Sequence, residues 1–115
     1  MPRYMLRASY TPEAWADFVR NPQNRREAIR PLIEQQGGRL EEFFFAFGTD
    51  DAVLICELPG NEQAAGIAMA IAAGGALKTL STTVLMTAEE AEAGMRLAQK
   101  VQYAPPGKTP TGARA

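Results

Sequence analysis

The stretch that decides the fold is residues 40–58, which read LEEFFFAFGTDDAVLICEL. Two apolar runs, residues 40–47 and 52–58, flank the polar segment 48–51. Four of the chain's five phenylalanines lie in the first run. A short connection of Gly, Thr and Asp between two apolar runs is typical of an antiparallel β-hairpin, so the sequence predicts two neighbouring strands here.

The connection between these strands carries two adjacent carboxylates, Asp50 and Asp51. Asp51 is expected to accept a hydrogen bond from a nearby backbone N–H and so to fix the hairpin. Two neighbouring carboxylates without further ligands are a weak signal for a cation, and no metal site is predicted.

The segment before the hairpin predicts a strand followed by two helical stretches. Residues 3–10 alternate between two faces, as a strand does. Thr11 supplies an N-cap and Pro12 a first helical residue. After a break, helical spacing resumes at about residue 25, and Pro31 inside this second stretch is expected to kink it.

The segment after the hairpin adds a helix, a strand and a last helix. Asn61 is the predicted N-cap of a helix over residues 62–73, and residues 77–86 form a fourth strand. Thr87 and Glu90 form a capping box that opens a helix to about residue 102. The class is therefore α+β, a ferredoxin-like βαββαβ fold with an extra C-terminal helix. In that fold, one four-stranded antiparallel sheet carries both crossover helices on one face.

Composition limits the possible classes of protein. The 115 residues, 12.5 kDa in mass, suit one domain at residues 1–102, followed by a Pro- and Gly-rich tail at 103–115 that is predicted to be disordered. A net charge of −1 argues against nucleic acid or a membrane as a partner. With no His and one Cys, we expect no metal, no cofactor and no intrachain disulfide. No segment resembles a signal peptide or a membrane span, so the cytoplasm is the expected location.

Both faces of the predicted sheet are apolar. In the second strand, alternation sets Leu40 and Phe44 against Phe43, Phe45 and Phe47. In the fourth strand, Leu77 and Leu85 are expected to oppose Leu80. Leaving three phenylalanines in water forgoes roughly 1.5–3 kcal/mol each, so we expect a homodimer whose two sheets pack face to face as a dimeric α+β barrel. The alternative is a monomer whose last helix covers the sheet.

Landmarks spread through residues 3–102 match one known family. In chain order they are Tyr4, Ser9 to Glu13, Arg25 to Ala28, Gly37-Gly38, Phe45 to Gly48, Leu58-Pro59, Lys78-Thr79, Thr82-Thr83 and Thr87. On these residues the chain resembles the GYD-domain family, small bacterial proteins of the dimeric α+β barrel superfamily. Gly48 and Asp51 match the Gly-Tyr-Asp signature, and Asp50 stands where tyrosine is usual. The resemblance implies this fold and a homodimer, without a particular activity.

Glu57 and Arg7 are the candidate catalytic residues, because each is a charged side chain in an apolar strand. Glu57 shares a face with Val53 and Ile55, where burial would suit a general base; the alternative is a solvated strand end paired with an arginine. Arg7 is expected to pair with Glu57 or to hold an anionic ligand. For Arg7 the alternative is a structural ion pair or a side chain at the dimer seam.

Tyr4, Tyr10 and Trp15 are the candidate ligand-binding residues, at a pocket expected between the sheet and the first helix. The alternative is that these rings belong to the core. The Ala- and Gly-rich helix over residues 62–73 predicts either close helix–sheet packing or space for a small ligand. Cys56 is predicted to be a buried, inert thiol, because no His is present to activate it.

The residues leave two functions open. The first is a homodimeric module, without catalysis, that assembles or binds a small apolar molecule. The second is a cofactor-independent monooxygenase or isomerase acting on a small aromatic or lactone-like substrate through Glu57 and Arg7, a reading that depends on fold analogy. An enclosed cavity lined by Glu57 or Arg7 would favour an enzyme or a binder, whereas a solid core at both positions would leave assembly.

Overall fold

The computed structural model describes residues 1–108 and the backbone of Thr111 and Gly112. The chain divides into two units, Met1–Leu85 and Met86–Ala115. The elements of the first unit are β1 (Arg3–Tyr10), α1 (Pro12–Arg20), α2 (Arg25–Gln35), β2 (Arg39–Phe45), β3 (Ala52–Glu57), α3 (Asn61–Ala73) and β4 (Leu77–Leu85). The four strands form one antiparallel sheet in the order β2-β3-β1-β4. The predicted ferredoxin-like α+β fold, with the first and third strands in the centre, is confirmed.

Side-chain caps fix where the helices of this unit begin. Thr11 Oγ1 accepts a hydrogen bond from the N–H of Ala14 at 3.1 Å, as predicted for α1. Helix α2 runs unbroken from Arg25 to Gln35 with Pro31 inside it. The prediction for α3 is wrong by one residue, because Gly60 is the N-cap and Asn61 is the first helical residue. The Asn61 side chain instead accepts a hydrogen bond from a tyrosine of β1.

The hydrophobic core lies between one face of the sheet and the three helices. Its strand residues include Tyr4, Leu6, Leu54 and Cys56, and its helix residues include Ala14, Ile33, Ala64 and Ile67. Because α1, α2 and α3 all contribute to this cluster, they share one face of the sheet. The other face, called the open face here, carries Met5, Arg7, Phe44, Val53 and Ile55, which the strand register places side by side.

A β-bulge in β2 changes which residues face the core. The register shifts between Leu40 and Glu42, so that both Leu40 and Phe43 face the core. The prediction that Leu40 shares a face with Phe44 is therefore wrong. An extra residue in one strand reverses the alternation beyond it, and a strict period of two cannot reveal this.

A second bulge changes the faces of β4. The register shifts between Ser9 and Tyr10, and Tyr10 lies opposite Leu77. Leu77 and Leu80 both pack against the core, so the prediction that they oppose each other is wrong.

The phenylalanines expected together on one wet face do not lie there. Phe43 and Phe45 do share a face, with ring centres 5.5 Å apart, but it is the face that packs against the helices. Phe43 is buried, and Phe45 contacts the rings of Tyr10 and Trp15. Phe47 lies beyond β2 and is 97% exposed. Phe44, 57% exposed, is the phenylalanine of β2 that lies on the open face. The open face is therefore less apolar than the sequence predicted.

The second unit contains α4 (Ala88–Ala98), β5 (Gln102–Tyr103) and β6 (Thr111–Gly112). The predicted capping box is confirmed: Thr87 Oγ1 accepts from the N–H of Glu90 at 3.0 Å, and Glu90 Oε1 accepts from the N–H of Thr87 at 2.9 Å. The tail predicted to be disordered contains the antiparallel pairing of β5 with β6. Residues 109–110 and 113–115 of this tail lie outside the described residues, so the disorder predicted for them stays a prediction. Among the residues described, no helix combines the length and the apolarity needed to cross a membrane.

Candidate ligand-binding site

A cavity of about 450 Å3 lies in the first unit between the sheet and helices α2 and α3. Large apolar side chains form most of its lining, among them Leu6, Ile29, Leu32, Phe43, Leu54, Ile71 and Leu80. Small-molecule sites in proteins occupy roughly 300–1,000 Å3 and are lined in this way. The cavity is therefore the candidate functional site of this unit.

Small residues in the lining create the space. They are Ala8, Ala28, Ala52, Ala70, Gly74 and Ala76. Larger side chains at these positions would narrow the space. Because Ala28, Ala70, Gly74 and Ala76 are exposed, the cavity opens to solvent on their side. The two predictions left open for the Ala-rich helix both apply to α3: Ala64 is buried in the core, whereas Ala70 and Gly74 leave room.

Among the described residues that line the cavity, Tyr10 and Arg25 carry the polar side chains. Burial raises the pKa of the Tyr10 hydroxyl above its ordinary value of 10.0, and the charge of Arg25 acts on it in the opposite direction. The two side chains are therefore close enough to interact electrostatically. Tyr10, which the sequence predicted to bind a ligand, lines this cavity.

Arg25 is the residue that sequence analysis missed. Its Nη1 donates to Gln23 Oε1 at 2.8 Å, and its guanidinium carbon lies 5.6 Å from the centre of the Phe18 ring. Its Nε is buried and makes no hydrogen bond within the described part of the chain. No signal in the sequence distinguishes it, because Arg26 beside it is equally basic and lies in the same first turn of α2.

An aromatic cluster holds the Tyr10 ring in place. Its ring centre lies 5.5 Å from that of Trp15, 4.9 Å from that of Phe18 and 6.3 Å from that of Phe45. Trp15 belongs to this cluster and not to the lining of the cavity. The space lies beside α2 and α3, not beside the first helix as predicted, and Trp15 contributes by packing against Tyr10.

Tyr4 is a residue of the hydrophobic core. Its side chain is 1% exposed, and its hydroxyl donates to Asn61 Oδ1 at 2.7 Å. This bond satisfies the one polar group that the ring brings into the core and ties β1 to the start of α3. Tyr4 does not line the cavity.

Glu57 lies in a group of charged side chains at one end of the sheet. Its Oε1 accepts from Arg39 Nη2 at 2.8 Å, and its Oε2 lies 3.7 Å from Arg3 Nη2. Arg3 Nε also donates to Glu41 at 2.6 Å, which holds the pKa of the Glu41 carboxyl below its usual range. Glu57 therefore matches the alternative given for it above: it ends a strand and pairs with an arginine.

Arg7 lies apart from Glu57. In the register of β1 with β3, Arg7 is opposite Val53 and Glu57 is opposite Arg3. Four residues of strand correspond to roughly 14 Å at about 3.4 Å per residue. The Nη1 of Arg7 lies 4.0 Å from Asp50 Oδ2, and its side chain is 43% exposed. The structure therefore does not bring the two candidate catalytic residues together, and neither lines the cavity.

The hairpin connection is tied to the end of β1. The N–H of Tyr10 donates to Asp51 Oδ2 at 2.9 Å, which confirms the backbone hydrogen bond expected of Asp51. The N–H of Asp51 donates to the carbonyl of Ala8 at 2.8 Å, and Ser9 Oγ donates to the carbonyl of Thr49 at 2.8 Å.

Within the described residues, no three His, Cys, Asp or Glu side chains gather as a metal site requires.

Cys56 has no exposed surface, and burial raises the pKa of its thiol to about 11. A thiol that stays protonated at neutral pH is a poor nucleophile. The prediction of a buried thiol is confirmed. Cys56 packs in the hydrophobic core, which explains why it is a small apolar residue at this position.

Known proteins support the fold and show the family. None of the curated proteins matches the chain in sequence. Among solved structures, the crystal structure of MtbAldR is similar, with a TM-score of 0.50 and 19% sequence identity. The match covers 75% of this chain and 53% of that one, so this chain spans about half the length of MtbAldR. At this identity the likeness concerns the fold. The GYD domain model matches residues 4–94, and this protein therefore belongs to the GYD-domain family.

Proposed function

We propose that this protein binds a small, largely apolar molecule in the cavity between the sheet and helices α2 and α3. The cavity itself supports the proposal: about 450 Å3 of space with a mostly apolar lining lies within the folded unit. Without a ligand, this mostly apolar lining faces water. An apolar ligand would displace that water and bury apolar surface, which is favourable.

Fluorescence titration with the uncharged probe N-phenyl-1-naphthylamine tests this proposal. We expect saturable binding of one probe per chain. Ala70→Leu adds bulk to the cavity and should weaken binding about tenfold or more, a change of about 1.4 kcal/mol. The matched control is Ala72→Leu, an exposed position on the same helix outside the lining, which should bind like the parent.

Two results would contradict the cavity as the binding site. One is the absence of saturable binding by the parent protein. The other is an equal affinity of the Ala70→Leu and Ala72→Leu variants. Ala70 is itself exposed to solvent, so the longer side chain should leave the fold intact, and circular dichroism checks this.

We also propose that a second copy of the chain covers the open face. In support, Phe44 is 57% exposed there, and Met5, Val53 and Ile55 are half-buried beside it in the sheet register. All three helices of the first unit contribute to the core on the other face. Exposed apolar patches favour association, and two identical faces that meet form a closed dimer.

Sedimentation equilibrium tests the dimer. We expect a mass of about 25 kDa, twice the 12.5 kDa of one chain. Phe44→Lys should shift the mass towards one chain, whereas Phe47→Lys, at a residue 97% exposed beyond β2, should not. A parent protein that sediments as a single chain at micromolar concentration would contradict the dimer.

The enzymatic alternative receives no specific support. Glu57 is engaged by Arg39, Arg7 lies beside Asp50, and neither reaches the cavity. A general base must come within hydrogen-bond reach of the proton that it abstracts. We therefore propose binding without catalysis.

A further inference from the structure

We infer that the ligand of the cavity is an amphiphilic monocarboxylate, whose acid group binds Arg25 and Tyr10 and whose apolar body fills the remaining space. This inference depends on the proposed binding function and names the chemical class of the ligand. It is carried by the position of one cation and one hydroxyl in a lining that is otherwise apolar.

The charge of the lining is unbalanced. Arg25 is its charged residue among those described, and no Asp or Glu is part of it. No described carboxylate lies within 4.0 Å of the Arg25 guanidinium to form a salt bridge. An arginine with no acidic partner beside an apolar cavity is a natural site for the carboxylate of a ligand, because the planar guanidinium matches its geometry.

The hydrogen bonds of Arg25 are also incomplete. Gln23 accepts from Nη1, but the buried Nε has no acceptor among the described residues. A buried donor without an acceptor is unfavourable, because it has lost its hydrogen bonds to water without replacing them. A purely apolar ligand would leave Nε without an acceptor, whereas a carboxylate supplies acceptor oxygens.

Tyr10 provides a second donor. Its hydroxyl lies close enough to Arg25 for the guanidinium to oppose the rise of its pKa that burial causes. Asp51 also acts on this hydroxyl, with the opposite sign to Arg25 and more weakly. Burial outweighs both charges, so the hydroxyl keeps its proton at neutral pH and can donate a hydrogen bond to a ligand.

The number of donors limits the charge of the ligand. One guanidinium neutralises a single negative charge and the neutral hydroxyl adds a hydrogen bond, whereas a phosphate monoester carries close to two charges. The leucine, isoleucine and phenylalanine side chains elsewhere in the lining offer no hydrogen bonds. A single carboxylate attached to a hydrocarbon or aromatic body satisfies both conditions.

Isothermal titration calorimetry with two matched probes tests the inference. The probes are 1-naphthaleneacetate and the uncharged 2-(1-naphthyl)ethanol, which share the ring and differ in the acid group. We expect the acid to bind the parent protein roughly tenfold or more tightly than the alcohol, as for a hydrogen bond to a charged group. Arg25→Gln should remove this preference and leave the affinity for the alcohol within about twofold.

Arg26→Gln is the matched control, because it removes the same charge from the neighbouring residue. Arg26 lies outside the cavity lining and reaches the carbonyl of Phe43 at 3.4 Å. This variant should keep the preference for the acid. Tyr10→Phe keeps the ring and removes the hydroxyl, so it should reduce the preference several-fold without abolishing it.

The possible outcomes separate this inference from the proposed function. Equal affinities for acid and alcohol, or a preference that survives Arg25→Gln, overturn the inference while the cavity stays a binding site. Binding of N-phenyl-1-naphthylamine without binding of either naphthyl probe has the same meaning. Failure of all three probes overturns both proposals.

Discussion

The backbone N–H of Tyr10 donates a hydrogen bond to the side chain of Asp51 across 2.9 Å. Asp51 ends the hairpin connection, and Tyr10 ends β1 at a bulge and lines the cavity. The N–H of Asp51 bonds the carbonyl of Ala8 in turn, so the connection is fixed to the strand by both its backbone and its side chain. Asp51, one of the two residues that match the family signature, therefore positions a residue of the candidate site.

Asp51→Ala should destabilise the protein by about 1–3 kcal/mol, because it leaves the N–H of Tyr10 without its acceptor. Urea unfolding measures this change. Asp50→Ala is the control: its contact with the partly exposed Arg7 spans 4.0 Å, and its loss should cost less than about 1 kcal/mol. Equal losses for both variants would show that the Asp51 hydrogen bond is not what stabilises the connection.

Gly38→Ala should destabilise the fold by roughly 1–3 kcal/mol, because the added methyl group has no room. It would overlap the carbonyl oxygen of Glu57 and lie 2.7 Å from Cδ2 of Leu58. Thermal unfolding provides the measurement.

Gly66→Ala is the matched control for Gly38→Ala. Gly66 lies inside α3, and an added Cβ there meets no atom within 4 Å. Alanine favours the helix by about 0.5–1 kcal/mol over glycine, so this variant should be more stable than the parent. If both variants were equally stable, the close approach of Gly38 to β3 would be refuted.

Cys56 should make the protein less stable in alkali. Burial raises the pKa of its thiol from the ordinary 9.0 to about 11, so above pH 9 the unfolded chain loses a proton that the folded chain keeps. Its contribution is full below pH 9 and is lost as the pH rises towards 11. Burial also raises the pKa of Tyr10, with the same sign.

Unfolding free energies measured between pH 8 and pH 11 check this expectation. The quantity of interest is the slope with which the unfolding free energy falls as the pH rises. Cys56→Ala should flatten the slope, whatever its effect on stability at pH 8. A slope identical to that of the parent protein would mean that the thiol is not protected by burial.

Glu57→Gln should have a small effect on both stability and binding. The substitution weakens the pairing with Arg39, a side chain that is 65% exposed, so the expected loss of stability is below about 1 kcal/mol. The affinity for N-phenyl-1-naphthylamine should not change, since Glu57 lies outside the cavity lining. A large loss of affinity would place Glu57 at the binding site.

Local patterns predicted much of the fold. Residues 3–10 alternate as the structure has them, and Thr11 and Thr87 cap the helices that they were expected to cap. The faces of β2 and β4 were misassigned near bulges, because an inserted residue leaves no mark on the apolar pattern. The cap of α3 was misplaced, since Asn61 is engaged by Tyr4, a partner 57 positions away in the sequence.

The candidate site was less predictable than the fold. Tyr10 was identified from its aromatic character, but the cavity is lined by small residues on four separate elements and on the connection between α3 and β4, which only the tertiary structure brings together. Arg25 is an ordinary helix residue in the sequence and becomes notable only through its buried Nε and its apolar neighbours. Glu57 and Arg7 stood out as charges within strands, yet an ion pair at a strand end and a contact with the hairpin connection produce the same pattern.

Methyl NMR of the labelled protein during titration with N-phenyl-1-naphthylamine tests the central claim most directly. Leu54 and Ile55 are neighbours on β3 that point to opposite faces of the sheet, and Leu54 lines the cavity. We predict large shift changes for Leu54, Ile71 and Leu80 and small ones for Ile55. Shift changes centred on Ile55 and Val53, or none at all, would contradict a ligand site between the sheet and its helices.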